Sequence, residues 1–192
     1  ERDMFIGHFT ERPYQDPKSG YFGATGLSIK DLDLSNDIYD PKIGSDLYNR
    51  YLDEKVYAEE MGFDGLMLNE HHSTPFCMGG AMNVEASILA RITNKAKIVL
   101  MGNILPIWDD PLWLVEQLSM IDMISKGRLV SGWVRGTGRE SVSHNAPAAY
   151  NVKCARHFAM GIGFLRGLPL YLPMGSHDYQ YRRRQRRKQE RR

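Results

Sequence analysis

The stretch Gly62-Phe63-Asp64-Gly65-Leu66-Met67-Leu68-Asn69-Glu70-His71-His72 decides how the rest of the chain is read. Gly62 follows a helix-like segment and stops it, since glycine takes the left-handed turn at a helix end without steric cost. Gly65 to Leu68 reads as a short buried strand. The run then breaks off in a carboxylate and two imidazoles. Polar chemistry at the carboxyl end of a strand is where α/β folds carry their active sites.

On the N-terminal side, Met4 to Phe9 reads as another short strand. A loop rich in Gly, Pro and Asp follows from Thr10 to about Gly44, long enough to suggest a working role. Ser45 or Asp46 is the expected cap of a helix reaching Met61, with Leu47, Tyr48, Tyr51, Leu52 and Val56 on roughly one face. On the C-terminal side, Asn83 is the expected cap of a second helix ending near Asn94, with Val84, Ile88, Leu89 and Ile92 facing inward. Ala96 to Met101 is the third strand, closed by Gly102-Asn103. Asp110-Pro111 opens a third helix, with proline at its favoured first position. Leu114, Leu118, Ile121 and Ile124 are its inward residues, and Ser125-Lys126-Gly127 ends it. Arg128 to Val134 is the fourth strand and leads into Arg135-Gly136-Thr137-Gly138.

Strand and helix alternate throughout, which predicts a parallel sheet with helical crossovers. Four such units suit half of a (β/α)8 barrel or the core of a doubly wound sheet. No GxGxxG follows the first strand, which argues against a dinucleotide-binding domain.

The 192 residues suit one domain, and a 42% hydrophobic fraction is enough for a core. The formal charge of +2 hides an asymmetry: Arg182 to Arg192 holds eight Lys or Arg and one Glu, so the rest of the chain is mildly acidic. Cys77 and Cys154 have no CxxC spacing and read as ordinary thiols of a reducing compartment. No apolar run approaches 18 residues, so no transmembrane helix is expected. Glu1-Arg2-Asp3 leads straight into a strand and does not read as a secretory signal. The expected location is cytoplasmic, without membrane association. The basic tail lacks interleaved aromatics beyond Tyr179 and Tyr181, and no nucleic-acid module is recognisable, so specific nucleic-acid binding is not expected.

Three segments together resemble the bacterial-luciferase-like family of flavin-dependent monooxygenases. Gly62 to His72 is similar to the family's GFD…EHH segment on strand two. Gly102-Asn103-Ile104-Leu105-Pro106 is similar to the end of its strand three. Asp122-Met123-Ile124-Ser125-Lys126-Gly127-Arg128, with Gly132 and Arg135-Gly136, resembles its DxxSxGR…G..RG stretch. The resemblance covers about Met4 to Asn151. It implies a (β/α)8 barrel that binds reduced FMN at the strand ends and uses O2 to oxidise a small organic substrate such as an aldehyde or alkane. It also implies a separate flavin reductase as FMN supplier, and a homo- or hetero-oligomer. A deazaflavin-dependent oxidoreductase on the same fold is the nearest alternative.

The resemblance assigns His71 as the catalytic histidine, a group whose ordinary pKa suits proton handling at neutral pH. Without it, His71 reads first as an exposed loop histidine. Glu70 is expected to orient His71 or face a flavin edge, and His72 to be structural. Gly102 would let the flavin ring approach the backbone closely, and Asn103 would donate to a ring carbonyl. Arg135 matches an arginine that grips the flavin phosphate, with the glycine-rich backbone after it adding N–H donors. Tyr150, and less so Asn145, lie where the strand-four loop approaches the cofactor. The luciferase subgroup's reactive cysteine is replaced by Val134, which argues only against light emission. No third ligand is spaced to join His71 and His72 around a metal.

After Asn151 the pattern stops. The expected organisation is therefore an incomplete TIM-type barrel of about four βα units over 1–151, then an irregular, Arg-rich tail over 152–192 whose end, Arg182 to Arg192, is expected to be disordered or a weakly held helix. A shifted reading frame or faulty gene model would produce such a switch. A barrel of this type needs about 250 residues, so a half barrel would leave sheet edges and an apolar layer open. That raises a further expectation: a non-catalytic fragment that needs a partner.

Overall fold

The computed structural model describes residues 4–18, 21–22, 37, 39–108, 110–134, 136 and 144. Four strands form one parallel sheet: β1 (Gly7–Phe9), β4 (Gly65–Leu68), β5 (Lys97–Ile104) and β6 (Leu129–Val134), in that spatial order. Each is joined to the next by a helix: α1 (Pro41–Glu60), α2 (Met82–Ile92) and α3 (Pro111–Ile124). The long first loop contains a small antiparallel pair, β2 (Gln15–Asp16) and β3 (Tyr21–Phe22).

One hydrophobic cluster joins all three helices to one sheet face. Leu66 and Leu68 of β4 and Ile98 and Leu100 of β5 pack with Ala58, Ala86, Leu89, Leu114 and Leu118. These strand residues share parity, and side chains alternate across a strand, so the helices lie on a single side. A doubly wound sheet covers both faces. One-sided helices with strands in sequential order are the winding of a (β/α) barrel. The opposite face carries Met101, Val130 and Val134, which are 45%, 44% and 38% exposed.

Several boundaries differ from the sequence expectation. α1 begins at Pro41, not at Ser45 or Asp46: the Asp40 carboxylate accepts the N–H of Lys42 at 2.7 Å, and Pro41 takes the first helical position. α2 is capped by Ala81 without a side-chain bond, and Asn83 lies inside it, donating to Gln117 of α3 at 3.1 Å. The inward face of α2 is Met82, Ala86, Leu89 and Ala90, while Val84, Ile88 and Ile92 are exposed. Small Ala86 and Ala90 let the helix come close to the sheet, and the larger side chains turn outward. In α3, Leu114, Leu118 and Ile121 are buried as expected but Ile124 is exposed. β5 runs on through Gly102 and Asn103, with a register shift between Leu100 and Asn103.

The helix ends behave as their sequence requires. Gly62 has φ +87° after α1, and Phe63 N–H returns to the Ala58 carbonyl at 3.1 Å. Asp64 then ties β1 to β4, accepting Ile6 N–H at 2.9 Å and donating its own N–H to Ile6 O at 2.8 Å. Glu59 holds the loop before β5 by accepting the N–H groups of Asn94, Lys95 and Ala96. Burial works against its charge, but these three donors outweigh it and leave its pKa lowered.

Arg128 closes the end of α3 against α2. Its five N–H groups are spent on Ser125 O, Thr93 Oγ1, Ala96 O, Ala90 O and Thr93 O, at 2.8–3.0 Å. Removing it strands several buried carbonyls and a hydroxyl. Arg128→Leu is expected to lower the unfolding free energy by about 3 kcal/mol, read from urea denaturation followed by circular dichroism.

A second buried cation sits under β1. Lys55 is 1% exposed and donates to Met67 O at 2.8 Å, and to His8 O and His8 Nδ1 at 3.1 Å each. Burial, and then the Arg12 charge, bring its pKa down to about 7 from 10.5. Between those values the unfolded chain binds the extra proton, so stability rises with pH. Cys77 acts the other way, but only above its ordinary value of 9, since burial pushes the thiol up to about 11. From pH 7 to pH 9 the unfolding free energy is therefore expected to rise by about 2 kcal/mol. Urea titrations at both pH values, repeated on Lys55→Met, check this; the variant should lose the slope.

Candidate active site

The segment Asn69-Glu70-His71-His72 leaves the carboxyl end of β4 and divides between two surroundings. Glu70 and His72 turn toward the helices. Glu70 is buried, and His72 Nε2 lies 3.0 Å from Glu70 Oε1. The His72 ring stands edge-on to His144 at 4.4 Å. These groups line a cleft of about 330 Å³ with Asn83, Trp108 and Gln117. His71 points elsewhere. Its ring lies 5.6 Å from Phe76, and its Nε2 is 3.7 Å from Glu11 Oε2. The expectation that Glu70 orients His71 is corrected: Glu70 pairs with His72, and the carboxylate beside His71 is Glu11.

The loops around this segment are pinned by Arg12, which is 1% exposed. Its guanidinium meets Glu85 of α2 at 2.9 Å, Asn69 Oδ1 at 3.0 Å, Asn69 O at 2.6 Å and Thr10 O at 3.1 Å. Burial raises the Glu85 pKa, while Arg12 pulls it back. Met78 N–H donates to Arg12 O and Tyr14 N–H to Pro75 O, so the loop after His72 is stitched to the loop after β1. Tyr51 of α1 adds a hydroxyl bond to Pro13 O at 2.6 Å. Cys77 is a buried thiol beneath this network, and its raised pKa makes it a poor nucleophile.

The other expected site residues are placed as follows. Gly102 is buried, and a Cβ on it would stand 2.2 Å from Val134 Cγ1. The glycine therefore admits the neighbouring strand's valine. Asn103 is 0% exposed, and neither end of its amide has a hydrogen-bond partner among the described residues. It is in register with Trp133, which packs against the helix-side core. The irregularity after Leu100 thus turns Asn103 to the helix side of the sheet, away from the open face where it was expected to donate to a ring carbonyl. Arg135, Tyr150 and Asn145 lie outside the described residues, as does the tail 152–192. Among the described residues no three His, Cys, Asp or Glu gather as a metal site would need, and no helix is long and apolar enough to cross a membrane.

Strand-end histidines on a one-sided parallel sheet narrow the field of families. A family model described as luciferase-like monooxygenase matches residues 37–154, more than half of the chain. The chain belongs to the luciferase-like monooxygenases. This luciferase-like chain is 38% identical over 92 residues to the alkanal monooxygenase alpha chain of Photobacterium leiognathi, covering 47% of this chain and 25% of that protein. It is 37% identical over 79 residues to the corresponding chain of Photorhabdus luminescens, covering 41% and 22%. The match spans about a quarter of the length of these relatives. Two solved structures share the fold. The FMN complex of the oxygenating constituent of 3,6-diketocamphane monooxygenase from Pseudomonas putida has a TM-score of 0.58 at 19% identity, covering 82% of this chain and 37% of that one. Monooxygenase RslO1 of Streptomyces bottropensis has a TM-score of 0.61 at 18% identity, covering 90% and 45%.

Arg12 has room because Gly79 carries no side chain: a Cβ there would lie 1.9 Å from Arg12 Nη2. Gly79→Ala must push the guanidinium off its partners. It is expected to cost about 2 kcal/mol, as overpacking does, and urea denaturation of the variant measures it.

Proposed function

We propose that this luciferase-like chain is the N-terminal part of a flavin-dependent monooxygenase that oxidises a small organic substrate, an aldehyde or alkane, with reduced FMN and O2. The observation that carries the reading is His71, a partly exposed imidazole beside a carboxylate at the carboxyl end of a barrel-type strand, in a chain similar to alkanal monooxygenase alpha chains. We read 1–151 as the first four βα units of a (β/α)8 barrel and 152–192 as a separate tail. A flavin reductase as FMN supplier, an oligomeric state and a cytoplasmic location belong to the same reading.

The described residues suit the ring portion of FMN in one respect. Near the strand ends, the open sheet face presents exposed Met101 and Val134, apolar surface on which a flat aromatic ring can lie and from which water is displaced. In this reading Gly102 lies beside that surface, against Val134, while Asn103 turns to the helix side and Glu70 holds His72. By resemblance Arg135 keeps its proposed role at the phosphate, and Tyr150 a place where the strand-four loop approaches the cofactor. Bound reduced FMN supplies the electrons with which O2 is activated. His71 accepts or returns a proton at an imidazole nitrogen.

A second reading rests on the same open face. Exposed Met101, Val130 and Val134 on a parallel sheet are surface that a closed barrel would cover. We therefore also propose that the chain binds flavin weakly until further βα units or a partner subunit complete the barrel.

Titrating purified protein with FMN and following flavin fluorescence tests both readings. Micromolar binding is expected once a partner is present, and absorbance separates FMN from a deazaflavin. With photoreduced FMN and a long-chain aldehyde, His71→Ala is expected to lower turnover by about 100-fold or more with FMN affinity retained. Equal turnover in the variant refutes His71 as the proton-handling group.

A further inference from the structure

His71 stands at the end of a line of polar groups that begins inside the protein. Glu85, on α2, meets the Arg12 guanidinium at 2.9 Å. Arg12 Nη1 donates to Asn69 Oδ1 at 3.0 Å. A guanidinium only donates, so Asn69 must turn its carbonyl end toward Arg12. Its amide N–H groups then face the other way, and Asn69 Nδ2 donates to Glu11 Oε2. That same oxygen is the one 3.7 Å from His71 Nε2. Every member before Glu11 is held by more than one bond. Arg12 also grips the Asn69 and Thr10 carbonyls and lies near the Cys77 sulfur at 3.7 Å. The Glu11 carboxylate is therefore placed from the buried core outward, although Glu11 and His71 are themselves about one third exposed.

The position of a carboxylate relative to an imidazole has a chemical consequence. A negative oxygen facing Nε2 favours the proton on that nitrogen and leaves Nδ1 as the acceptor. At 3.7 Å the influence is that of an ion-pair neighbour, since a hydrogen bond needs a shorter distance. We propose that Glu11 is the positioning residue for His71: its carboxylate selects the Nε2–H tautomer, and Asn69 and Arg12 exist at these positions to hold that carboxylate. The proposal deepens the reading of His71 as the proton-handling group, and its meaning for turnover rests on that reading. The tautomer itself concerns only residues of this chain.

The test is long-range 1H–15N NMR of the full 192-residue chain in mildly alkaline buffer, with the His71 signals assigned by their loss in His71→Gln. In the unaltered chain, Nε2 is expected to carry the proton and Nδ1 to show the shift of an unprotonated nitrogen. Glu11→Gln should weaken that preference toward that of a free histidine side chain, so that the Nδ1 and Nε2 shifts draw closer together. Glu11→Asp, which keeps the charge, should restore part of it. The His72 signals, governed by Glu70, should not move. A protonated Nδ1 in the unaltered chain overturns the proposal without need of any variant. So does an unchanged His71 spectrum in a folded Glu11→Gln. Where FMN binds, Glu11→Gln should lower kcat about tenfold or more with little change in FMN affinity. Absence of FMN binding defeats the functional reading while the NMR result still decides the role of Glu11.

Discussion

The buried Arg12 guanidinium is the contact on which the carboxyl end of the sheet depends. A charge removed from water must be met on all sides or the fold loses several kcal/mol. Here the partners come from three parts of the chain: Glu85 of α2, Asn69 beyond β4 and Thr10 beyond β1. Satisfying one side chain thus draws two loops and a helix together. The backbone adapts to it, with Arg12 itself at φ +55° and Gly79 bare where the guanidinium passes. Lys55 lies close enough for its charge to be felt, and holds the backbone of β1 to that of β4 from below.

The sheet's two faces divide the labour of stability and chemistry. On the helix side, Leu66, Leu68, Ile98 and Leu100 form a closed core with the three helices. Arg128, Ser125 and Asp122, which the family resemblance singles out as a motif, act there as a structural clasp at the end of α3. Asp64 of the GFD segment does the same for β1. These motif residues hold the ends of strands and helices together. The other face is apolar and open among the described residues.

Much of the architecture was legible because it follows from local rules. Gly62 ends α1, Pro111 opens α3, and the apolar run Gly65–Leu68 forms a strand, each for a reason contained within a few residues. The inward face of α2 was not legible. Val84, Ile88 and Ile92 make as good an apolar stripe as Met82, Ala86 and Leu89, and only contact with the sheet selects the narrower face. Asn103 was misplaced for a similar reason. An irregularity in pairing turns it to the helix side, and no alternation of residue types announces it.

The candidate site divides along the same line. The sequence by itself determined that polar residues stand at the end of β4 and that the sheet is parallel, because strand ends and helix stops are set by near neighbours along the chain; the family resemblance, not those local rules, singled out His71. Only the tertiary structure decided which carboxylate serves which imidazole. Glu70 is adjacent to His71 in sequence, but successive side chains beyond a strand point apart, and Glu70 goes to His72. Glu11 is sixty residues from His71 and reaches it because Asn69 and the buried Arg12 fix its carboxylate across the fold. That pairing depends on where two loops meet a helix, and burial of a charge brings them together.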